Sequence, residues 1–133
     1  MIDIEERKRQ ARTTIVRAIF PGMTNHYDTL FGGNALKWMD EVAFITATRF
    51  GRKQFVTVSS DRIDFNTPIP GGHLVELEGR VTKVGRTSLI VEVNVFLESM
   101  YEEGKALAVK GSFTFVSIDE NRNSVPIFAE VRS

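Results

Sequence analysis

TNHYDTLFGGNALKWMDEVA, residues 24–43, decides the fold, because a loop ending in a glycine pair runs directly into a helical pattern. Small or apolar side chains recur on one face of a helix from about Gly33 to Phe50, at Ala35, Leu36, Met39, Val42, Ala43, Thr46 and Ala47. Gly51 is a natural stop just past its end. The sequence therefore predicts one long helix with one buried face.

The rest of the chain reads as five strands. The first, Arg12–Phe20, is rich in β-branched residues and is stopped by Pro21-Gly22. The others are predicted over Gln54–Phe65, Leu74–Val84, Thr87–Leu97 and Ala106–Ile118, and polar residues 121–124 begin a tail. Short turns imply antiparallel pairing, so the fold class is α+β, a five-stranded antiparallel sheet with one long helix. One helix cannot cover such a sheet completely, which indicates an oligomer.

Length and composition narrow the function. The 133 residues suit one domain, 1–133, and 17 basic against 17 acidic residues argue against nucleic acid as a partner. No apolar run spans a bilayer, and the charged N-terminus lacks a signal-peptide core, so we expect a cytoplasmic protein without membrane contact. With no Cys and only His26 and His73, a thiolate nucleophile and a Cys-based or His-rich metal centre are excluded.

Two neighbouring acids lie in the predicted helix. Glu41 has Lys37 four residues earlier, which fits a weak ion pair on a solvated face. Asp40 borders the apolar stripe, and small side chains beside it leave room for another group. From the residues alone, a surface acid and a functional carboxylate are about equally favoured.

The start of this helix offers a complementary group. Helix N-termini carry unpaired N–H groups that bind anions, and Gly32-Gly33 allows close approach to that backbone. Gly33 and Asp40 are two turns apart, about 10 Å along the axis, so Asp40 cannot easily act on an atom held at its own helix's N-terminus. Two antiparallel copies of the helix would bring Asp40 of one subunit to the loop of the other.

Residues 25–33 (NHYDTLFGG) and 38–43 (WMDEVA) together resemble the signature of the hot-dog-fold acyl-CoA thioesterases. Matching pieces follow in order at 56–58 (VTV), 65–68 (FNTP), 84–88 (VGRTS) and 113–119 (FTFVSID), so the resemblance covers roughly 12–119. It implies a five-stranded antiparallel sheet wrapped around the helix, in a homodimer with one continuous sheet that often assembles into a hexamer, a trimer of dimers. It also implies that Asn25 and Asp40 are catalytic residues contributed across the dimer interface.

The implied reaction is hydrolysis of a fatty acyl-CoA to free acid and CoA, with no metal and no cofactor beyond the coenzyme A of the substrate. Asp40 would act as general base on water or attack directly to form a mixed anhydride, and both routes stay open. Asn25 would orient the water or hydrogen-bond the carbonyl. The N–H of Gly33 would stabilise the oxyanion.

Residues for the coenzyme are suggested further along. Gly85-Arg86-Thr87-Ser88 supplies a guanidinium and two hydroxyls suited to phosphate, although a β-turn with a solvated Arg fits the same letters. Thr57 on the second strand is a candidate polar contact near the thioester or an ordinary β-branched strand residue. For Ser60, on the same strand, a hydroxyl that makes only local hydrogen bonds is the favoured interpretation.

The chain departs from the family at two positions, and two other functions compete. Asp28 stands where the family usually has Gly, and His73 where it often has an acid. An enoyl-thioester hydratase is one rival, because residues 64–68 (DFNTP) with His73 partly imitate its motif at the wrong spacing. A non-catalytic acyl-CoA-binding module is the other, but it would need neither Asn25 nor Asp40. Acyl-chain length is left open.

Overall fold

A computed structural model describes residues 2–128. The elements, in chain order, are α1 (Ile4–Ala11), β1 (Thr13–Ala18), a 3-10 turn (Pro21–Met23), α2 (Gly32–Gly51), β2 (Gln54–Phe65), β3 (His73–Val84), β4 (Ser88–Ser99) and β5 (Lys105–Ile118). The strands form one sheet in the order β1-β3-β4-β5-β2, with every neighbouring pair antiparallel. Helix α2 contacts all five strands. The predicted α+β class, a five-stranded antiparallel sheet around one long helix, is confirmed.

The core lies between α2 and the inner face of the sheet. The predicted alternation in β4 is confirmed, since Leu89, Val91, Val93 and Val95 are all buried. On α2 the stripe residues Ala35, Met39, Val42, Ala43, Thr46 and Ala47 are buried as predicted. Each large apolar side chain buried here contributes roughly 1.5–3 kcal/mol, so this contact fixes α2 on the sheet.

Two strand glycines set how close α2 lies. A Cβ atom added at Gly79 of β3 would lie 2.5 Å from Thr46 Oγ1 and 2.9 Å from Val42 Cγ1. One added at Gly111 of β5 would collide with Ile63 and would lie 3.0 Å from Met39 Cε. A side chain at Gly79 would therefore displace Thr46 and Val42 of α2, and one at Gly111 would displace Ile63 of β2 and the end of Met39.

Helix α1 is absent from the sequence prediction. Asp3 caps it by accepting a hydrogen bond from the Glu6 N–H at 3.1 Å, and Lys8 pairs with Glu5 at 3.2 Å. Only Ala11 is buried, so the helix lacks the apolar periodicity on which the prediction relied. Its stability comes from the cap, from acids in the first turn and from bases in the last.

Other local expectations were wrong. Glu41 pairs with Arg17 of β1 at 3.0 Å rather than with Lys37, because α2 packs beside that strand. Leu36 was expected in the buried stripe but lies on the exposed side of α2. The segment after residue 124 is not a polar tail, since Ile127 and Phe128 are buried and the Phe128 ring lies 5.5 Å from that of Phe50.

Strand β2 forms one edge of the sheet and pairs only with β5. Two register shifts interrupt that pairing, between Thr57 and Ser59 and between Asp61 and Asp64. Most of the strand is exposed in the protomer. Among residues 2–128 no helix is long and apolar enough to cross a membrane.

Candidate active site

Asp40 lies in an open depression between α2 and β2. The hydroxyl of Thr57 donates to Asp40 Oδ1 at 3.2 Å. The depression has a volume of about 380 Å³ and is bordered by Gly33, Leu36, Lys37, Asp40, Thr57, Ser60 and Phe113. The structure thus brings three predicted site residues, Gly33, Asp40 and Thr57, around one cavity.

The β-bulge in β2 explains why Thr57 and Ser60 both border this depression. In a regular strand, residues three apart face opposite sides. The register shift between Thr57 and Ser59 adds one residue, so Thr57 pairs with Phe115 and Ser60 with Phe113, whose side chains both face α2. From the sequence, Ser60 is interpreted as a hydroxyl with only local hydrogen bonds, because a β-bulge has no clear sequence signal.

Helix α2 and strand β2, which carry Asp40 and Thr57, expose large apolar side chains to solvent in the protomer. Leu36, Phe44 and Val58 are 37%, 46% and 54% exposed. Leu36 and Phe44 lie one turn before and after Asp40, and Val58 follows Thr57 in the exposed edge strand. Exposed apolar side chains on a helix and on an unpaired edge strand are typical of a surface that another protein chain covers.

The loop before α2 holds the side chain of Asn25 in one orientation. Asn25 Oδ1 accepts hydrogen bonds from the Tyr27 N–H at 2.9 Å, from the Thr29 N–H at 3.2 Å and from the Thr29 hydroxyl at 3.0 Å. Two of these donors are backbone N–H groups, so the accepting atom must be the amide oxygen. The side-chain NH₂ has no acceptor among residues 2–128 and is left as a pair of oriented donors.

Asp28 lies in the same loop with a φ of +60°, in the left-handed region that favours glycine. Asp tolerates this region better than most residues do. Its backbone is held at both ends, because its N–H donates to Asn25 O at 3.0 Å and its carbonyl accepts from the Gly71 N–H at 3.1 Å. The departure from the family's usual Gly therefore preserves the backbone conformation that a glycine would adopt.

The first turn of α2 leaves backbone donors available. No side chain caps this helix. The N–H groups of Asn34 and Ala35 both donate to Phe31 O, at 3.0 and 3.2 Å. Within residues 2–128 the N–H groups of Gly32 and Gly33 have no acceptor, so this end of the helix can bind a negative oxygen.

The remaining predicted residues lie apart from Asp40 within one protomer. Asn25 does not border the Asp40 depression. Residues 85–87 form the β3–β4 turn, and Ser88, the first residue of β4, pairs with Val116, which pairs with Val56 of β2. Two strand spacings, about 10 Å, therefore separate this turn from the strand that carries Thr57. Within residues 2–128 the exposed guanidinium of Arg86 has no ion-pair partner.

The two histidines have local contacts. His73 Nδ1 lies 3.0 Å from Gly71 O, and the His26 ring is 3.9 Å from that of Tyr27. Neither residue borders the depression around Asp40. Among the described residues, no group of three or more His, Cys, Asp or Glu side chains could hold a metal ion.

The model of the thioesterase superfamily matches residues 27–103. The uncharacterized acyl-CoA thioester hydrolase YkhA of Bacillus subtilis is 37% identical over 119 residues, which are 90% of this chain and 69% of that protein. The chain belongs to the acyl-CoA thioester hydrolase family.

Solved structures agree with this membership. The acyl-CoA hydrolase of Staphylococcus aureus has been solved with butyryl coenzyme A and coenzyme A, and it is 31% identical to this chain. The match covers 90% of this chain and 73% of the Staphylococcus chain, with a TM-score of 0.85. An apo-hexameric acyl-CoA thioesterase is 36% identical, with 90% and 76% coverage and a TM-score of 0.86. These hydrolases share the five-stranded sheet around a long helix, so the fold is the hot-dog fold.

The Staphylococcus enzyme has also been solved with an Asn, an Asp or a Thr replaced by Ala. Those three residues follow one another in that chain with the same spacing as Asn25, Asp40 and Thr57 in this acyl-CoA hydrolase.

Proposed function

We propose that this protein hydrolyses fatty acyl-CoA thioesters to a free acid and CoA at a site shared between two subunits. One observation carries the proposal: each protomer has two incomplete and complementary half-sites. The donor half-site consists of the Asn25 NH₂ and the N–H groups of Gly32 and Gly33. The acceptor half-site consists of Asp40 and Thr57.

The positions of these half-sites support a dimer. Asp40 and the N-terminus of its own helix are about 10 Å apart along the axis, and Asn25 lies outside the Asp40 depression. The unpaired edge of β2 offers backbone groups to a second copy, and the exposed side chains of Leu36, Phe44 and Val58 offer apolar surface to it. A two-fold axis there would continue the sheet and place Asp40 of one subunit at the donor half-site of the other. Further assembly into a trimer of dimers is supported by the hexameric relative.

In the proposed reaction the thioester carbonyl oxygen receives hydrogen bonds from the Asn25 NH₂ and the Gly33 N–H. These donors strengthen as the oxygen becomes negative in the tetrahedral state. Because Asn25 Oδ1 already accepts three hydrogen bonds, donation to the carbonyl is favoured over holding a water through that oxygen. Asn25 is therefore assigned to the carbonyl.

Asp40 of the other subunit supplies the base. Thr57 donates to its Oδ1, which holds the carboxylate in place and leaves Oδ2 for the reacting water. Asp40 takes a proton as the water oxygen bonds to the carbonyl carbon, the C–S bond then breaks, and the proton passes to the departing thiolate. In the alternative route, Asp40 attacks the carbonyl carbon and the C–S bond breaks to release the CoA thiolate. Water then cleaves the mixed anhydride to the free acid and the Asp40 carboxylate, and its proton passes to the thiolate.

The coenzyme moiety is assigned to the turn of Arg86, Thr87 and Ser88. Backbone hydrogen bonds hold this turn, from the Ile127 N–H to Arg86 O at 2.9 Å and from the Ser117 N–H to Thr87 O at 2.8 Å. An exposed guanidinium on a fixed turn suits a phosphate, and the turn's two hydroxyls add donors.

The test follows free thiol and the acyl double bond together, with crotonyl-CoA as one substrate and a saturated acyl-CoA as another. Hydrolysis predicts thiol release from both with no early loss of the crotonyl double bond. A hydratase would consume the double bond without releasing thiol, and a binding module would bind acyl-CoA without either change. Either of those two results would refute the proposal.

A further inference from the structure

A second cavity adjoins the donor half-site. It lies between the start of α2, the β2–β3 connection and β5, and has a volume of about 210 Å³. It is lined by Thr29, Leu30, Gly32, Ala35, Phe65, Thr67, Pro68, Ile69 and Val109. It shares no lining residue with the depression around Asp40, so the N-terminal turn of α2 separates the two cavities.

The cavity is apolar inside and open at one end. Leu30, Ala35, Ile69 and Val109 are buried and form its floor. The exposed residues Gly32, Phe65, Thr67 and Pro68 form its rim. Gly32 lies opposite Phe65 across the rim, since a Cβ atom added at Gly32 would lie 4.0 Å from the Phe65 ring, in van der Waals contact. Such a cavity favours a flexible hydrocarbon group that enters from the rim.

Its position identifies the occupant. The Thr29 hydroxyl and N–H, in the cavity wall, are the groups that hold Asn25 Oδ1. Gly32 and Gly33, whose N–H groups are available, lie at the rim and next to it. A thioester carbonyl bound by these donors therefore has its acyl carbons beside the mouth of the cavity, and its sulfur can face the partner's Asp40.

We infer that this cavity holds the acyl chain and limits it to about eight carbons, an inference that rests on the proposed function. An apolar cavity of about 150 Å³ holds a benzene ring of six carbons, so a cavity of about 210 Å³ accommodates roughly eight carbons. Short- and medium-chain acyl-CoA thioesters are thus the substrate class. The end of a longer acyl chain contacts Ala35 and Val109 on the buried floor before its carbonyl can reach the hydrogen-bond donors.

The experiment measures kcat/KM by thiol release across a series of straight-chain acyl-CoA substrates from acetyl to palmitoyl. Each methylene buried adds about fourfold until the floor is reached. The wild-type profile is therefore expected to rise to six to eight carbons and to fall beyond them.

Two floor variants move the limit in opposite directions. Ala35→Leu adds three carbons to the floor, and we expect the ratio of octanoyl to acetyl kcat/KM to fall at least about tenfold. Val109→Ala removes two carbons and is expected to shift the optimum about two carbons longer. Val91→Ala is the matched control, because Val91 is equally buried but lines neither cavity, and it should keep the wild-type profile.

A profile that rises steadily to palmitoyl-CoA would overturn the inference. The inference would also be overturned if Ala35→Leu and Val109→Ala both kept the wild-type optimum of chain length. Because the two changes have opposite steric effects, one variant still tests the inference if the other fails to fold. Absence of thiol release from every acyl-CoA would instead contradict the proposed function itself.

Discussion

The two ends of the proposed site are built in opposite ways. The donor half-site, around Asn25 and the start of α2, is held rigidly by its own protomer, since three hydrogen bonds fix Asn25 Oδ1. The acceptor half-site has one internal hydrogen bond, from Thr57 to Asp40, and lies among exposed apolar side chains on α2 and β2. The donors are preorganised by the loop, whereas in the proposed dimer it is the second chain that would exclude water around the carboxylate.

The largest expected effect comes from removing the base in the acceptor half-site. Asp40→Asn keeps the oxygen that accepts from Thr57 but loses the negative charge, so kcat should fall by about 10³-fold or more. Its exposed position predicts a folded protein, which circular dichroism and gel filtration check. Glu41→Gln is the matched control, because this neighbouring acid pairs with Arg17 on the surface and should keep near-native kcat.

Equal losses of kcat in Asp40→Asn and Glu41→Gln would mean that hydrolysis depends on the overall negative charge of this part of α2 rather than on one base. Near-native hydrolysis by Asp40→Asn would remove Asp40 from the mechanism.

The donor half-site can be tested without disturbing its loop. Asn25→Asp keeps an oxygen to accept from Tyr27 and Thr29 but replaces the NH₂ donor, so kcat should fall by about 10²–10³-fold with the loop preserved. Asn66→Asp provides a control at an exposed loop Asn that lines neither cavity. An Asn25→Asp enzyme with wild-type kcat would show that the amide donors play no part.

Arg86 tests binding apart from chemistry. Arg86→Ala should raise KM for acyl-CoA about tenfold with little change in kcat, because its guanidinium is assigned to the phosphates and not to the thioester. Arg80→Ala, in β3 before that turn and paired with Glu92 at 2.9 Å, should leave KM unchanged. The binding role would be refuted if both variants gave the wild-type KM, or if Arg86→Ala lowered kcat alone.

Thr57 carries the smallest expected effect. Thr57→Val removes the hydrogen bond to Asp40 while keeping the β-branched shape, and we expect a fall in kcat of about five- to tenfold. Ser59→Ala, at the neighbouring bulge position outside the depression, should have no effect. A Thr57→Val loss as large as that of Asp40→Asn would point to a direct role in the reaction.

Prediction from sequence succeeded where a repeating pattern carries the information. The strand Gln54–Phe65 was placed with its observed limits, and the buried face of α2 was correct except for Leu36, because periodicity reports burial. Helix α1 was missed because caps and surface charges, not apolar periodicity, stabilise it. The shared face of Thr57 and Ser60 depends on a β-bulge, and the orientation of Asn25 depends on backbone donors that every residue carries.

Mixing two inactive variants tests whether one active site needs two chains. Asp40→Ala subunits keep Asn25, and Asn25→Ala subunits keep Asp40, so a hybrid dimer regains one complete site. After co-refolding in equal amounts, half the dimers are hybrids with one of two sites intact, so we expect about a quarter of wild-type kcat. Activity no greater than the sum of the separate variants, with hybrids confirmed by tagged subunits, would contradict it.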